Sequence, residues 1–127
     1  MSDPHCHCGQ PRAFDDCCAR FIRGDAQPAT AEELMRSRYS AFVEADEAYL
    51  LDTWHPDTRP SRVRLSSSQR WLGLSIKRCE GGQAGEDAGT VEFVARYKVI
   101  GRGHRLHETS RFERIDGRWY YRDGDHH

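Results

Sequence analysis

The sequence predicts an α+β protein, helices first and an antiparallel sheet after, preceded by a small cysteine-rich appendage. Three observations support this. Four of the five cysteines fall within residues 6–18. A helix signal, Thr30-x-x-Glu33, then introduces apolar residues at helical spacing. From Trp71 onward the apolar period changes to two. At 127 residues the chain has room for one modest core and an appendage, but not for two cores.

In the appendage one residue separates Cys6 from Cys8, eight separate Cys8 from Cys17, and Cys18 follows directly. Thiolates are soft, strong donors, and four around a tetrahedral zinc ion make a closed structural site with Zn–S bonds of about 2.3 Å. A short hairpin returning on itself, tightest at Gly9, would bring the sulfurs together. Cysteines this close in sequence do not form relaxed disulfides, and a reducing compartment leaves them free for metal. Cys6, Cys8, Cys17 and Cys18 are therefore the expected ligands and Zn2+ the expected cofactor, with His5 and His7 turned to solvent. Four thiolates leave no open position, so a catalytic zinc is not expected. Cys79 stands alone and reads as a small half-buried apolar residue.

The spacing C-x-C-x8-C-C resembles the SEC-C motif, the zinc knuckle at the C-terminus of the preprotein translocase motor and on many other bacterial proteins. Leu34 to Phe42, Trp54-His55-Pro56, Trp71-Leu72-Gly73-Leu74 and Gly117 to Tyr121 extend the likeness over nearly the whole chain to the YchJ family. Its members carry this knuckle in front of a nuclear transport factor 2-like domain. The resemblance implies a cystatin/nuclear transport factor 2-like cone, helices laid over a curved antiparallel sheet around a tapered pocket. Relatives of that fold include isomerases, hydratases, dehydratases and pure protein binders, and the fold does not choose among them. In the translocase motor the knuckle engages a protein through a basic loop. Here that loop, Gln10 to Asp16, keeps an aromatic residue in Phe14 but carries Asp15 and Asp16.

Taken in order, Ala19 to Ile22 suits a short helical turn that seats Phe21 and Ile22 on the main domain. Gly24 to Pro28 reads as a linker, giving a knuckle over 1–24 and a cone over 29–125. The capping box places a helix start near Ala31, with Leu34, Met35, Tyr39 or Arg38, Phe42 and Val43 on its apolar face and Arg36, Ser40 and Glu44 turned elsewhere. A second helix is expected from Asp46 to about Trp54, ended by His55-Pro56. Residues 56–70 read as an irregular connection with room for a short helix. Trp71 to Arg78 alternates Leu72, Leu74 and Ile76 against Gly73, Ser75 and Lys77. The glycine-rich loop 81–89 is acidic and lacks a Lys-Ser/Thr ending, so it reads as a hairpin tip and not a phosphate cradle. Val91, Phe93, Ala95, Tyr97 and Val99 share one strand face. Gly101-Arg102-Gly103 turns the chain into a strand ending at Ile115. Asp116-Gly117 then forms a two-residue hairpin, placing Phe112 opposite Tyr121 and Arg114 opposite Trp119.

Strand parity groups His104, Leu106, Glu108, Ser110, Phe112 and Arg114 on the inner sheet face. Glu108 among aromatics is the candidate general acid or base, with His55 and His104 as candidate assistants and Trp54 at the cavity rim. The structural alternative pairs Glu108 with Arg38 or Arg114 in an internal ion pair, the arrangement favoured here. The reading favoured by the sequence is a cytoplasmic zinc-binding adaptor that meets a protein partner through the knuckle; the alternative is an isomerase- or hydratase-like enzyme or binding protein that takes a small molecule in the cone. A formal charge of −1 with 31% charged residues argues against nucleic acid. No apolar run reaches membrane-spanning length. The exposed sheet face with Arg96, Lys98, Arg111 and Tyr120 is the expected surface for a homodimer. A histidine pair such as His126-His127 is also what an affinity tag leaves, so the two are set aside from sites read from the sequence alone.

Overall fold

The computed structural model describes residues 5–127; the first four residues of the expected 1–24 knuckle lie outside them. The chain opens in a tight turn, the Gly9 N–H donating to the Cys6 carbonyl at 3.1 Å. Gly9 sits at φ 93°, a left-handed conformation that costs a residue with a Cβ about 1–2 kcal/mol. The chain returns on itself without forming a strand. The return limb is a single 3-10 turn, Phe14–Asp16, followed by α1, Cys18–Ile22. Adjacent Cys17 and Cys18 must send both sulfurs the same way, and the backbone break at Cys17 between these helical pieces allows it. A regular strand would alternate them to opposite sides.

Helix α2, Ala31–Val43, starts at the expected cap, where Thr30 Oγ1 accepts the Glu33 N–H at 3.1 Å. Glu33 Oε1 reaches back to the Ala29 N–H at 2.8 Å, completing a variant of the capping box. The Ala31 N–H donates to the Gly82 carbonyl at 2.9 Å, so the glycine-rich loop also serves the helix start. A Cβ at Gly82 would lie 2.7 Å from that of Ala31, which explains glycine there. Helix α3, Glu47–Asp52, is shorter than expected and is capped by Asp46 Oδ1, which accepts the Tyr49 N–H at 3.0 Å. The connection to the sheet contains turns and no helix.

Strands β1 (Gln69–Gly81), β2 (Ala88–Val99), β3 (Arg102–Ile115) and β4 (Arg118–His126) form an antiparallel meander in sequence order. Phe112 pairs with Tyr121 and Arg114 with Trp119, as the hairpin signal requires. The preceding turn is shifted by one residue from expectation. Val99 pairs with Arg102, and the turn is Ile100-Gly101 at φ 48° and 77°. Positive φ at both central positions matches the twist of the flanking strands. β1 slips against β2 between Trp71 and Gly73 and again between Ile76 and Arg78. The first slip corrects the simple alternation: Trp71 turns inward while Leu72 is 54% exposed. Such bulges increase local twist and bend the sheet around α2.

The main core joins Leu34, Met35 and Tyr39 of α2 to Val91, Phe93 and Ala95 of β2, with Phe112 and Trp119 behind them. A second cluster seats Phe21 of α1 against Ala41, Tyr49 and Leu50. Helix α2 is thus covered on more sides than its pattern suggests, and Ser37, Arg38 and Ser40 are all buried. Ser40, which the helical period turns away from the apolar face, is buried all the same, because the knuckle lies over it. Residues 53–55 run beside β4, where Tyr121 donates to the Thr53 carbonyl at 2.8 Å and accepts the His55 N–H at 2.7 Å. This covers an otherwise open sheet edge. Among the described residues no helix is long and apolar enough to cross a membrane.

Thr30→Ala should lower stability by about 1 kcal/mol and Thr30→Gly by only a few tenths, read from urea denaturation midpoints at constant m.

Candidate metal centre and cone cavity

The knuckle turn and α1 bring Cys6, Cys8, Cys17 and Cys18 together, with one sulfur from each within 4.8 Å of all the others. All four are buried and none is in a disulfide. Tetrahedral bonds of about 2.3 Å require sulfurs about 3.8 Å apart, and the Cys8 and Cys17 sulfurs are 3.7 Å apart. As bare thiols the group is electrostatically frustrated. Burial, then the charges of Cys8 and Cys6, push Cys17 up to about 12. Hydrogen bonding to Cys6 and Cys8 pushes Cys18 up as well, while the same sharing holds Cys6 down. A central cation removes this conflict, because it stabilises every thiolate at once. Phe14, Ile22 and Leu74 wall the cluster from water.

Helix α2 supplies the surrounding contacts. Ser40 Oγ lies 3.6 Å from Cys6 Sγ, and Arg36 Nη1 donates to the Cys8 carbonyl at 2.6 Å. His7 Nε2 is 2.9 Å from Glu44 Oε2, so its ring is turned to the helix end and away from the sulfurs. Outer contacts of this type orient metal ligands. Arg36, Ser40 and Glu44 are the positions that helical period alone assigns to the side away from the core. Cys79 lies apart from the cluster, its thiol pushed up to about 11 by burial and Glu32.

Between α2 and the concave sheet face lies a cavity of about 250 Å3, walled by Met35, Tyr39, Trp54, Trp71, Phe93 and Tyr121. Arg38, Glu108 and Ser110 also line it. Glu108 is buried, with Oε2 accepting from Ser110 Oγ at 2.5 Å and Oε1 3.2 Å from His126 Nε2. Burial, then the Glu108 charge, raises the Tyr121 phenol to about 12. Arg38 Nη1 donates to the Leu50 carbonyl at 2.8 Å and to Thr53 Oγ1 at 2.7 Å. Its guanidinium carbon sits 5.1 Å from the Trp54 ring centre and 4.6 Å from that of Tyr121. Burial lowers its pKa to about 10. The buried Trp54 indole N–H has no partner among the described residues.

The expected Glu108 ion pair is not formed. Arg38 is committed to the end of α3 and acts on Glu108 only through longer-range attraction. Arg114 lies toward the other end of β3 and donates to Asp87 Oδ1 at 3.0 Å. Of the three candidate catalytic residues only Glu108 lines the cavity. His55 follows Trp54 in an extended segment, so the two side chains point to opposite faces. Its buried ring meets Glu113 Oε2 at 2.8 Å. His104 is exposed and stacks on Tyr97, with ring centres 5.1 Å apart. Strand parity missed two contributors. Trp71 enters through a bulge, and Gly124 faces Ser110 because an extra residue, Arg122, shifts the register of β4.

A family model described as the YchJ middle NTF2-like domain matches residues 30–124. The chain belongs to the YchJ family. It is 52% identical over 125 residues to a UPF0225 protein of Streptomyces coelicolor, covering 98% of each chain. It is 54% identical over 132 residues to a UPF0225 protein of Ralstonia nicotianae, covering 94% of this chain and 90% of that one. The solution structure of a SEC-C motif containing protein from Rhodopseudomonas palustris superposes with a TM-score of 0.85 at 31% identity, covering 95% of this chain and 97% of that one. The crystal structure of a SEC-C motif containing protein from Psychrobacter arcticus does so at 0.75 and 27% identity, covering 91% and 73%. This member of the YchJ family thus shares its whole architecture, cysteine appendage and NTF2-like cone together, with solved SEC-C proteins.

A Cβ at Gly124 would lie 2.4 Å from Glu108 Oε2 and 2.7 Å from its carboxyl carbon. Gly124→Ala should therefore displace the carboxylate and cost about 1–3 kcal/mol, the usual range for overpacking. In a Glu108→Ala background the same change should cost much less. A double-mutant cycle by chemical denaturation checks the coupling.

Proposed function

We propose that the chain is a small-molecule-binding protein whose N-terminal knuckle is held by one structural Zn2+. The cavity is the observation that supports ligand binding best. Trp54 and Tyr121 line it without filling it, and Glu108, Ser110, Arg38 and Tyr121 converge on it. Its size of about 250 Å3 is just below the range of roughly 300–1,000 Å3 typical of ligand sites, so the occupant is small. Aromatic walls and one buried carboxylate favour a compact, mostly apolar molecule that presents a hydrogen-bond donor to Glu108. Glu108 is also the group that would exchange a proton with such a ligand, if binding is followed by chemistry.

For the knuckle, four buried sulfurs within 4.8 Å of one another, with Cys8 and Cys17 at 3.7 Å, favour Zn2+ in a closed site. Metal binding supplies on the order of 10 kcal/mol to a segment with too little apolar surface to fold alone. A protein partner at the knuckle is the second reading, favoured by the exposed Pro11, Arg12 and Ala13 of its loop. Phe14 packs onto the cysteines, so its ring is largely withheld from such a contact.

Ligand-observed NMR with a panel of small phenols and aromatic amides should find binders of millimolar affinity or better. Glu108→Gln and Trp54→Leu should each weaken them at least fivefold. Absence of binders, or binders indifferent to both substitutions, would reject the cavity as the site.

Elemental analysis of protein purified without chelator should find about one zinc per chain, and Cys8→Ser should lose it. Four reduced thiols with no metal would defeat the zinc assignment. Chelation should lower the thermal midpoint and abolish amide protection across residues 5–24, with β2 and β3 remaining protected. Loss of protection in β2 and β3 would make the knuckle an integral part of the cone.

A further inference from the structure

We infer that the outer face of the sheet carries a second, exchangeable metal site, formed by Glu92 of β2, His107 of β3 and His127, for a divalent transition ion such as Zn2+. One donor atom from each residue lies within 4.8 Å of the other two. Glu92 Oε2 and His107 Nε2 are already 2.7 Å apart. In the β2–β3 register Glu92 faces Thr109 and Val94 faces His107, which makes Glu92 and His107 diagonal neighbours on one face. The His127 N–H donates to the His107 carbonyl at 2.9 Å, and its Nε2 lies 2.8 Å from Thr109 Oγ1. Its ring centre is 4.6 Å from that of His107. Two of the three donors therefore stand on strand interiors, a rigid support, and the third is tethered beside them.

Two imidazoles and a carboxylate suit Zn2+, Cu2+ or Ni2+, whereas Mg2+ and Ca2+ prefer oxygen-only sets. Metal bonds of about 2.0–2.2 Å bring donors roughly 3–3.5 Å apart. Glu92 and His107 nearly meet that spacing, and His127 reaches it by leaving Thr109. Glu92 and His107 are each about a third exposed, so water completes the coordination and the ion exchanges freely, unlike one among buried thiolates. The other charged groups acting here are Arg78 of β1, paired with Glu80, and Asp125 of β4, bonded to Arg111. Protons and metal compete for the same imidazole nitrogens, so acid weakens binding.

The test is calorimetric titration of ZnCl2 into the metal-loaded protein after removal of excess ion. One additional equivalent is expected at pH 7.5, at least tenfold weaker at pH 5.5. His107→Ala and Glu92→Gln should each weaken it at least tenfold, while His126→Ala should leave it intact and the His107 ring resonances should shift on binding. No additional equivalent, or one that survives both His107→Ala and Glu92→Gln, overturns the site. Loss in His126→Ala also overturns it, since the neighbouring histidine pair and not the cross-strand cluster would then be the ligand. Should His107→Ala fail to fold, Glu92→Gln decides alone.

Discussion

The fold turns on the burial of α2 between two unlike surfaces. Its Leu34, Met35 and Tyr39 meet the concave sheet, while Ser40 and Arg36 meet the sulfur of Cys6 and the carbonyl of Cys8. Burying polar side chains costs free energy unless each finds a partner. Here Ser37 bonds the Leu34 carbonyl and the Tyr49 hydroxyl, and Arg38 bonds the end of α3. The helix can be covered almost completely because its polar groups are assigned to the knuckle, to α3 and to the cavity.

That arrangement ties the two candidate sites to one rigid element. Arg36 and Ser40 lie on the knuckle side of α2, while Met35, Arg38 and Tyr39 line the cavity. Leu74 extends the link, since it packs both against the cysteine cluster and against the main core. Any displacement of the knuckle would move groups that shape the cavity wall, because close-packed interiors transmit strain.

The cavity depends on irregularities in the sheet. A regular β1 would turn Leu72 inward, and the bulge substitutes the larger, flatter Trp71. A regular β4 would put a different residue opposite Ser110. The extra residue at Arg122 places Gly124 there, leaving room for the Glu108 carboxylate. Bulges re-aim side chains in this way near functional sites. The carboxylate keeps its place through Ser110, His126 and a missing side chain, without a contacting arginine.

Local chemistry alone settles much of this protein. Cysteine spacing assembles the sulfur cluster, Thr30 and Glu33 start α2, Asp116-Gly117 sets the β3–β4 register, and period-two apolar residues place Glu108 inward. Each follows from interactions spanning a few residues, where bond geometry leaves little choice. The burial of Ser40, the entry of Trp71, the separation of His55 and His104 from the cavity and the partner of Arg114 were decided in three dimensions. They depend on which surface packs over a helix and where a strand gains a residue. A one-residue slip reverses every side chain beyond it, and no periodicity reveals a knuckle laid across a helix from another part of the chain.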